Sequence, residues 1–365
     1  MHSERGVRYG DAGWSMPLSG WANFLVPLFR CTKSAAGVYF QQNQGWISSC
    51  YLGIGVFALS CLGIWKARDK RIWLLAAFTV LSLFLALGDN GLLMAGIRKL
   101  LPQIGLMRYP IKFVVIAVFT IPLLAAFAVQ NYFSTEARKD FPRDARRIGF
   151  VFLGTILGLL AFAYFYPAEN ESWKTTLWSG LSRLVFLAVI LGAGYLAART
   201  AQLKPQLLLQ TALLVLLWLD VVTHAPSQNP TAERSVYEPG LPSFQQLQPR
   251  PASGESRLAL SFDSFIAQVN IPADPTKGFL SKRLALAENC NVFENIPKID
   301  GFYSLYLRDE RPVHYRIYTS TNTLHPHVAD FLGICQVTSE TNFFEWQPRP
   351  TYLPLITAGQ KPIFV

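Results

Sequence analysis

The segment IGFVFLGTILGLLAFAYFY, residues 148–166, contains no charged side chain and is long enough to cross about 30 Å of hydrocarbon as a helix. Other blocks of the same character occur between residues 47 and 225. They are ISSCYLGIGVFALSCLGIW (47–65), IWLLAAFTVLSLFLAL (72–87), FVVIAVFTIPLLAAFAV (113–129), TLWSGLSRLVFLAVILGAGYLAA (176–198) and QLLLQTALLVLLWLDVVTHA (206–225). We therefore predict an all-α membrane bundle of about six transmembrane helices, which places both termini on the same side.

The overall composition agrees with this prediction. Apolar residues make up 51% of the chain and charged residues only 15%, whereas soluble domains usually carry about a quarter charged residues. The net charge of +10 would suggest nucleic-acid binding in a soluble protein. Here, however, the basic residues lie in short segments between apolar blocks, where they orient helices in a membrane. We therefore expect no nucleic-acid partner.

The charges between the blocks predict the orientation of the helices. The segments KARDKR (66–71), STEARKDFPRDARR (134–147) and ARTAQLK (198–204) are strongly basic, whereas PAENESW (167–173) is acidic. Because cytoplasmic loops carry an excess of Lys and Arg, the basic segments are predicted to be cytoplasmic. The chain is then predicted to be a multi-pass protein of the inner or plasma membrane with both termini outside.

The segments outside the bundle differ from it in composition. Residues 1–46 are predicted to form an outward-facing N-terminal segment, and 47–225 the transmembrane domain. The polar, Pro-rich residues 226–256 are typical of an extended linker. Residues 257–365 are predicted to form an outward-facing α/β or mostly β domain, because several segments have strand-like patterns. These segments are RLALSF (257–262), FYSLYLRD (302–309), HYRIYTS (314–320) and GICQVTS (333–339).

The loop at 88–112 breaks the charge rule, because it is basic on the side predicted to be outside. It contains the turn GDNG and then LLMAGIRKLL, which is typical of a short amphipathic helix in the membrane interface. Cations at that depth need an anionic partner, and Arg can bind two phosphate oxygens at once. The candidates for binding a lipid phosphate are Arg98, Lys99, Arg108 and Lys112. The alternative is that Arg108 and Lys112 only anchor the helix end by snorkelling.

Two charged residues lie inside the apolar blocks at a similar outer depth. Arg183 is in the fifth block and Asp220 is near the end of the sixth. We predict that they form a structural ion pair, since unpaired charges in a membrane interior are costly. The alternative is that Asp220 orients Arg108.

Histidine and cysteine give weaker predictions. His314, His325 and His327 lie close in sequence but lack the spacing of a metal site, so no metal and no cofactor are predicted. Cys50 and Cys61 are expected to be packing residues in the first span. Cys290 and Cys335 are expected in the outer domain, where an oxidising compartment would permit a disulfide between them.

Several segments, taken in order, resemble the YfhO family of bacterial membrane proteins. They are GWSMPLSGWANFLVPLF (13–29), YLGIGVFAL (51–59), GDNG (88–91), LMRYPIKF (106–113), WLDVVTH (218–224), NVFENIPKIDGFYSL (291–305) and VADFLGICQVTS (328–339). That family is similar to GT-C glycosyltransferases, which transfer a sugar from a polyprenyl-phosphate carrier to a cell-envelope glycan acceptor at the outer face.

The resemblance implies roles for individual residues. Arg108 and Lys112 would hold the carrier phosphate, and Asp89 or Asp11 would act as general base on an acceptor hydroxyl. The alternative for Asp89 is a turn residue that caps the next helix. In GT-C enzymes the essential carboxylates lie in an N-terminal half, and this chain is expected to begin after that half, so enzyme activity of this chain alone is open. The alternative function is a non-catalytic membrane scaffold or transporter subunit.

Overall fold

The structure, a computed structural model, consists mainly of helices with two small sheets. Contact between residues divides it into two compact units, one containing Val38–Gln228 with most of the preceding segment, and the other containing Asn229–Val365. The residues that it describes are 14–42, 44–45, 47–67, 69–101, 109–134, 136–168, 171–200, 202–226, 229–267, 274–299, 301, 312–313, 317, 325–339, 342 and 344–356.

Each of the six predicted apolar blocks overlaps a helix of the first unit. These helices are α1 (Ile54–Trp65), α2 (Lys70–Ala86), α4 (Val114–Ser134), α5 (Phe141–Phe165), α6 (Trp173–Arg199) and α7 (Leu203–Val222), and the short α3 (Leu92–Leu100) lies between α2 and α4. In the described part of the chain, four helical segments are long and apolar enough to cross a membrane: Pro110–Tyr132, Ala137–Phe165, Trp173–Arg199 and Lys204–Val222. Four of the six predicted spans therefore correspond to helices that are long enough to cross a membrane.

The first predicted span is shorter than expected. Its residues before Ile54 are not helical, and Gly53 has a φ of 99°, a conformation that glycine adopts readily. A side chain at Gly53 would also meet Asp220 Oδ2 at 3.2 Å. The chain therefore turns at Gly53, and α1 begins where α7 packs against it.

Helix α5 begins earlier than predicted. Its first residue is Phe141, so the second half of the basic segment 134–147 is helical. Pro142 stands in the first turn, where its missing N–H costs no hydrogen bond. The arginines that follow therefore extend from a helix rather than from a loop.

Large apolar side chains cover the outside of the first unit. Phe119 is 69% exposed, Phe150 66%, Leu208 70% and Trp218 62%, whereas the facing sides of the helices bury Leu62, Leu124 and Ile156 completely. Helices that are apolar on both their buried and exposed sides are suited to a lipid environment. These four exposed residues belong to α4, α5 and α7.

The predicted N-terminal segment contains local structure of its own. Residues Leu18–Phe24 form a 3-10 helix, and β1 (Cys31–Lys33) pairs with β2 (Tyr39–Gln41) in an antiparallel hairpin. Phe24 is buried beside Ile111 and Val114, so this segment packs on the helices.

The second unit contains a mixed sheet and short helices. Strand β4 (Ile334–Thr338) pairs in parallel with β3 (Arg257–Ala259) and antiparallel with β5 (Trp346–Pro348). The helices are α8 (Pro242–Gln245), α9 (Phe262–Ala267), α10 (Pro275–Leu284), α11 (Asn291–Glu294) and α12 (Pro326–Phe331). Predicted strands RLALSF and GICQVTS thus contain β3 and β4, whereas FYSLYLRD and all of HYRIYTS except Ile317 lie outside the described residues.

The prediction that 226–256 is an extended linker is wrong for its middle part. Residues Arg234–Tyr237 form a 3-10 helix, and Phe244 and Leu247 are buried against Leu258 and Leu286. The fully buried Arg283 donates to the carbonyls of Val236 and Glu238 and forms an ion pair with Glu294. Sparse apolar residues and a remote arginine therefore fold this polar segment into the second unit.

Candidate functional site

Residues at the end of the predicted outward loop form an aromatic and cationic cluster with Trp14. The Trp14 and Tyr109 rings stack with centroids 5.0 Å apart, and Lys112 Nζ lies 5.1 Å from the centroid of the Tyr109 ring. The Ile111 N–H donates to the Trp14 carbonyl at 3.4 Å. Pro110 begins a 3-10 turn that ends at Phe113 and leads directly into α4. Lys112 lies in this turn and is exposed.

The same N-terminal residues contact the GDNG turn. The Asp89 N–H donates to Ser15 Oγ at 3.0 Å, and Asn90 Nδ2 donates to the Met16 carbonyl at 2.9 Å. Residues 14–16 thus connect the turn after α2 with the segment before α4. We name the group Trp14, Asp89, Arg98, Tyr109 and Lys112 the loop cluster.

Asp89 does not cap α3 as its turn position predicted. The N-cap of α3 is Gly91 without a side-chain hydrogen bond, and Asp89 Oδ1 lies 2.6 Å from Arg98 Nη1. The Arg98 side chain folds back to this carboxylate and is only 15% exposed. The charge of Arg98 is therefore largely neutralised within the protein, whereas Lys99 is exposed on the same helix.

Two predicted site residues lie outside the described part of the chain. They are Arg108, the predicted main phosphate ligand, and Asp11, the second candidate base. The structure therefore pairs Asp89 with Arg98 and places Lys112 beside Tyr109, and the roles of Arg108 and Asp11 stay predictions.

The predicted ion pair between Arg183 and Asp220 is confirmed. Arg183 Nη1 lies 2.6 Å from Asp220 Oδ1, and the same guanidinium donates to the Asp220 carbonyl and to Thr223 Oγ1. Both side chains are buried, with 5% and 0% of their surfaces exposed. The pair joins α6 to the end of α7.

Asp220 also binds the start of α1. Its Oδ2 accepts the Ile54 N–H at 2.7 Å, and the Tyr51 hydroxyl lies 2.8 and 2.9 Å from the two carboxylate oxygens. The N–H groups of the first helical turn have no partner within their own helix, and a carboxylate there is favoured by the helix dipole. Asp220 therefore serves as a cap supplied by another helix. His224 lies beside this cluster, with Nε2 3.0 Å from Ser49 Oγ.

The predicted disulfide is not formed. Cys290 and Cys335 are free and buried thiols, and Cys335 Sγ lies on β4 near the Arg257 carbonyl. Cys290 instead precedes α11. Burial raises the pKa of both thiols, with Glu288 adding to the effect at Cys290, so both favour the protonated form. Cys50 and Cys61 are packing residues as predicted, but only Cys61 lies in a helix, because Cys50 precedes α1.

The histidine prediction is only partly described. His325 and His327 have ring centroids 5.8 Å apart, and His314 lies outside the described residues. Among the residues that are described, no group of three His, Cys, Asp or Glu side chains is placed to hold a metal ion.

Sequence reasoning missed the residues that complete both clusters. Trp14 and Ser15 are remote in sequence from the loop that they contact, and Tyr51 was assigned to a membrane span. One signal was present for Tyr51, because the Gly53 that follows it is a poor residue for a helix interior. No local signal pointed to Trp14.

No family model, curated protein or solved structure matches this chain.

Proposed function

We propose that this chain is a six-span membrane protein that binds a polyprenyl-phosphate-linked sugar at its outward face, as part of a glycosyltransferase acting on cell-envelope glycans. The sequence resemblance to the YfhO family suggests this chemistry. The proposed topology has both termini outside, with α1 and α2 as the two shorter spans. The loop cluster would then lie at the outer face of the membrane.

The observation that carries the proposal is the position of Lys112 over the Tyr109 ring, which stacks on Trp14. Lysine offers a mobile point charge to a phosphate, and stacked aromatic rings favour the interface between lipid and water. The ring of Tyr109 also holds the ammonium by a cation–π contact. A phosphate arriving from the lipid side would meet this cation just before α4, and Arg108 precedes it by four residues in the sequence.

Arg98 and Asp89 have secondary roles in this proposal. Because Arg98 is paired with Asp89, it shapes the loop more than it binds the phosphate. Because the Asp89 carboxylate is engaged by Arg98, the proposal does not require Asp89 to activate the acceptor.

The alternative of a transporter subunit has less support. A transporter needs ionisable groups that change partners along a path through the membrane. Asp220 and Arg183 instead bind the start of α1, the end of α7 and each other at the same time. Such a saturated group is suited to joining helices.

The proposal is tested by titrating a short-chain polyprenyl phosphate into the full chain in neutral detergent. Lys112→Ala should weaken binding about tenfold, the effect of one charge-assisted contact in a partly dehydrated setting. Arg108→Ala should weaken it by roughly ten- to a hundredfold if its fork binds two oxygens. Arg98→Ala should change it less than about threefold, because Asp89 already neutralises that charge.

The matched control is Lys174→Ala, which removes an exposed cation at the same proposed face, in the first turn of α6. It should bind as tightly as the unmodified chain. If Lys112→Ala and Arg108→Ala also bind as tightly, these cations only anchor the helix and the proposal is wrong.

A further inference from the structure

A second basic surface lies where α5 begins and α6 ends. The cations Arg138, Lys139, Arg143, Arg146, Arg147 and Arg199 line a cavity of about 620 Å³ together with Pro142 and Ala198. We name it the basic cavity. In the sequence, these residues predicted only the orientation of the helices in the membrane.

Some of the cations have structural partners. Arg138 donates to the carbonyls of Ala197, Ala198 and Thr200, which are orphan acceptors at the end of α6. Arg143 pairs with Asp140 and Asp144. Arg138 and Arg143 therefore hold the walls of the cavity.

The other cations have no carboxylate partner among the described side chains. Arg146 and Arg147 are exposed on successive positions of α5, Lys139 is exposed just before that helix, and Arg199 lies over the Tyr195 ring at 4.7 Å. The nearby carboxylates Asp140 and Asp144 are already bound by Arg143, and by Lys66 at 3.3 and 3.0 Å. The cavity therefore carries an excess of positive charge that an anion would neutralise.

An apolar groove continues from the basic cavity along the helices. It has a volume of about 470 Å³, lies between α5 and α6, and shares Pro142 and Arg146 with the cavity. Its walls include Phe150, Leu153 and Leu191. Two glycines, Gly149 on α5 and Gly192 on α6, lack the side chains that would narrow it, and a Cβ at Gly192 would meet nothing within 4 Å.

We propose that the basic cavity and the groove together bind one anionic phospholipid, with its phosphate among Arg146, Arg147 and Arg199 and an acyl chain along the groove. The cavity and the groove are chemically complementary to the two parts of such a lipid. A cluster of cations is matched to a headgroup phosphate, and an apolar channel on a helix pair that can span a membrane is matched to a lipid chain. Arg146, which lines both, would lie at the junction of headgroup and chain.

The proposal is independent of the function proposed above. The loop cluster precedes α4 and contacts the turn after α2, whereas the basic cavity lies at the start of α5. No residue is shared between them. A variant that loses polyprenyl-phosphate binding would therefore report on the loop cluster, and one that loses phospholipid binding would report on the basic cavity.

The experiment titrates dioleoyl phosphatidylglycerol into delipidated full chain in neutral detergent, with bound lipid counted by native mass spectrometry. Dioleoyl phosphatidylcholine and inorganic phosphate are titrated in parallel. The first lipid should bind at least about tenfold more tightly than the second, because each nearby cation favours an anionic lipid about fivefold. Inorganic phosphate should not compete at millimolar concentration, since it lacks a chain for the groove.

Two variants separate the headgroup from the chain. Arg146→Gln/Arg147→Gln should weaken phosphatidylglycerol binding about twentyfold and phosphatidylcholine binding much less, because choline already balances the charge of that phosphate. Gly192→Leu should weaken both lipids, by about tenfold for the loss of roughly two buried methylenes. Because that side chain meets open space in an α-helix, the variant should fold.

The controls remove a cation and a glycine at positions outside the proposed site. Arg71→Gln removes an exposed cation from the first turn of α2, outside the cavity. Gly158→Leu adds the same side chain to α5 at a position with nothing within 4 Å and outside the groove. Both should bind like the unmodified chain. Equal phosphatidylglycerol binding by the double arginine variant, equal affinity for the two lipids, or competition by inorganic phosphate would each overturn the proposal.

Discussion

Asp220 contributes to three parts of the helical unit through one carboxylate. Its oxygens bind Arg183 of α6, the Ile54 N–H at the start of α1, and the Tyr51 hydroxyl. A buried ion pair of this kind gains little over apolar packing, but removing one partner leaves an uncompensated charge. The ion pair therefore contributes mainly by fixing the relative positions of α1, α6 and α7.

At this scale we predict that Asp220→Ala destabilises the helical unit by about 3–5 kcal/mol, because Arg183 is left buried without a carboxylate. Chemical unfolding of the full chain in detergent measures the loss. Arg143→Ala, which breaks an ion pair of an arginine that is 57% exposed, should cost less than about 1 kcal/mol.

A second variant separates charge from packing. Arg183→Met/Asp220→Leu removes both charges and should recover part of the lost stability. If Asp220→Ala unfolds at the same denaturant concentration as Arg143→Ala, the buried pair does not hold the helices together.

Helix α1 packs very closely on its neighbours because small residues face them. A Cβ at Gly63 would lie 2.7 Å from the Leu124 carbonyl oxygen of α4, and one at Gly55 would lie 2.6 Å from the Leu217 side chain of α7. Helices in lipid associate through packing of this kind, because lipid tails are as apolar as leucine. The short α1 is therefore held by contact along its length.

The corresponding prediction is that Gly63→Leu separates α1 from α4 and destabilises the unit by about 1–3 kcal/mol. The obstacle is a backbone oxygen, which cannot move aside as a side chain can. Gly158→Leu, which adds the same group to an open position of α5, should leave stability unchanged or raise it. Equal melting temperatures of the two variants in detergent would show that the close approach is not needed.

The molecule as a whole combines a helical unit with apolar outer surfaces and a second unit with a small mixed sheet. The basic segments occur at the ends of helices, where Lys66 and Arg143 pair with Asp140 and Asp144. The positive charges that are paired with carboxylates contribute less to the orientation of the helices in the membrane. Arg146 and Arg147 are exposed in the same region. The excess supports a cytoplasmic position for this end of the helices.

We predict that reporters fused after residues 69, 140 and 202 lie in the cytoplasm, whereas those fused after 170 and 240 lie outside. The charge difference between the loops is the reason. Alkaline phosphatase and fluorescent-protein fusions at each position give opposite signals on the two sides. A phosphatase-active fusion after residue 140 would reverse the proposed orientation.

The sequence alone predicted the apolar blocks in which the six helices lie, and it favoured the pairing of Arg183 with Asp220. Both follow from strong local physics, since long uncharged segments form helices in lipid and buried charges require partners. The strands β3 and β4 were found for a similar reason, because their alternating or continuous apolar patterns are short-range signals.

Tertiary structure decided the rest. Arg283 folds the polar segment that was predicted to be a linker, Trp14 reaches the loop cluster from a remote position, and the turn at Gly53 shortens α1 where Asp220 caps it. The separation of Cys290 and Cys335 as free thiols is likewise a matter of spatial placement. Each depends on contacts between groups that are far apart in sequence. Local sequence patterns contain no information about which distant hydrogen-bond donor or aromatic ring makes such a contact.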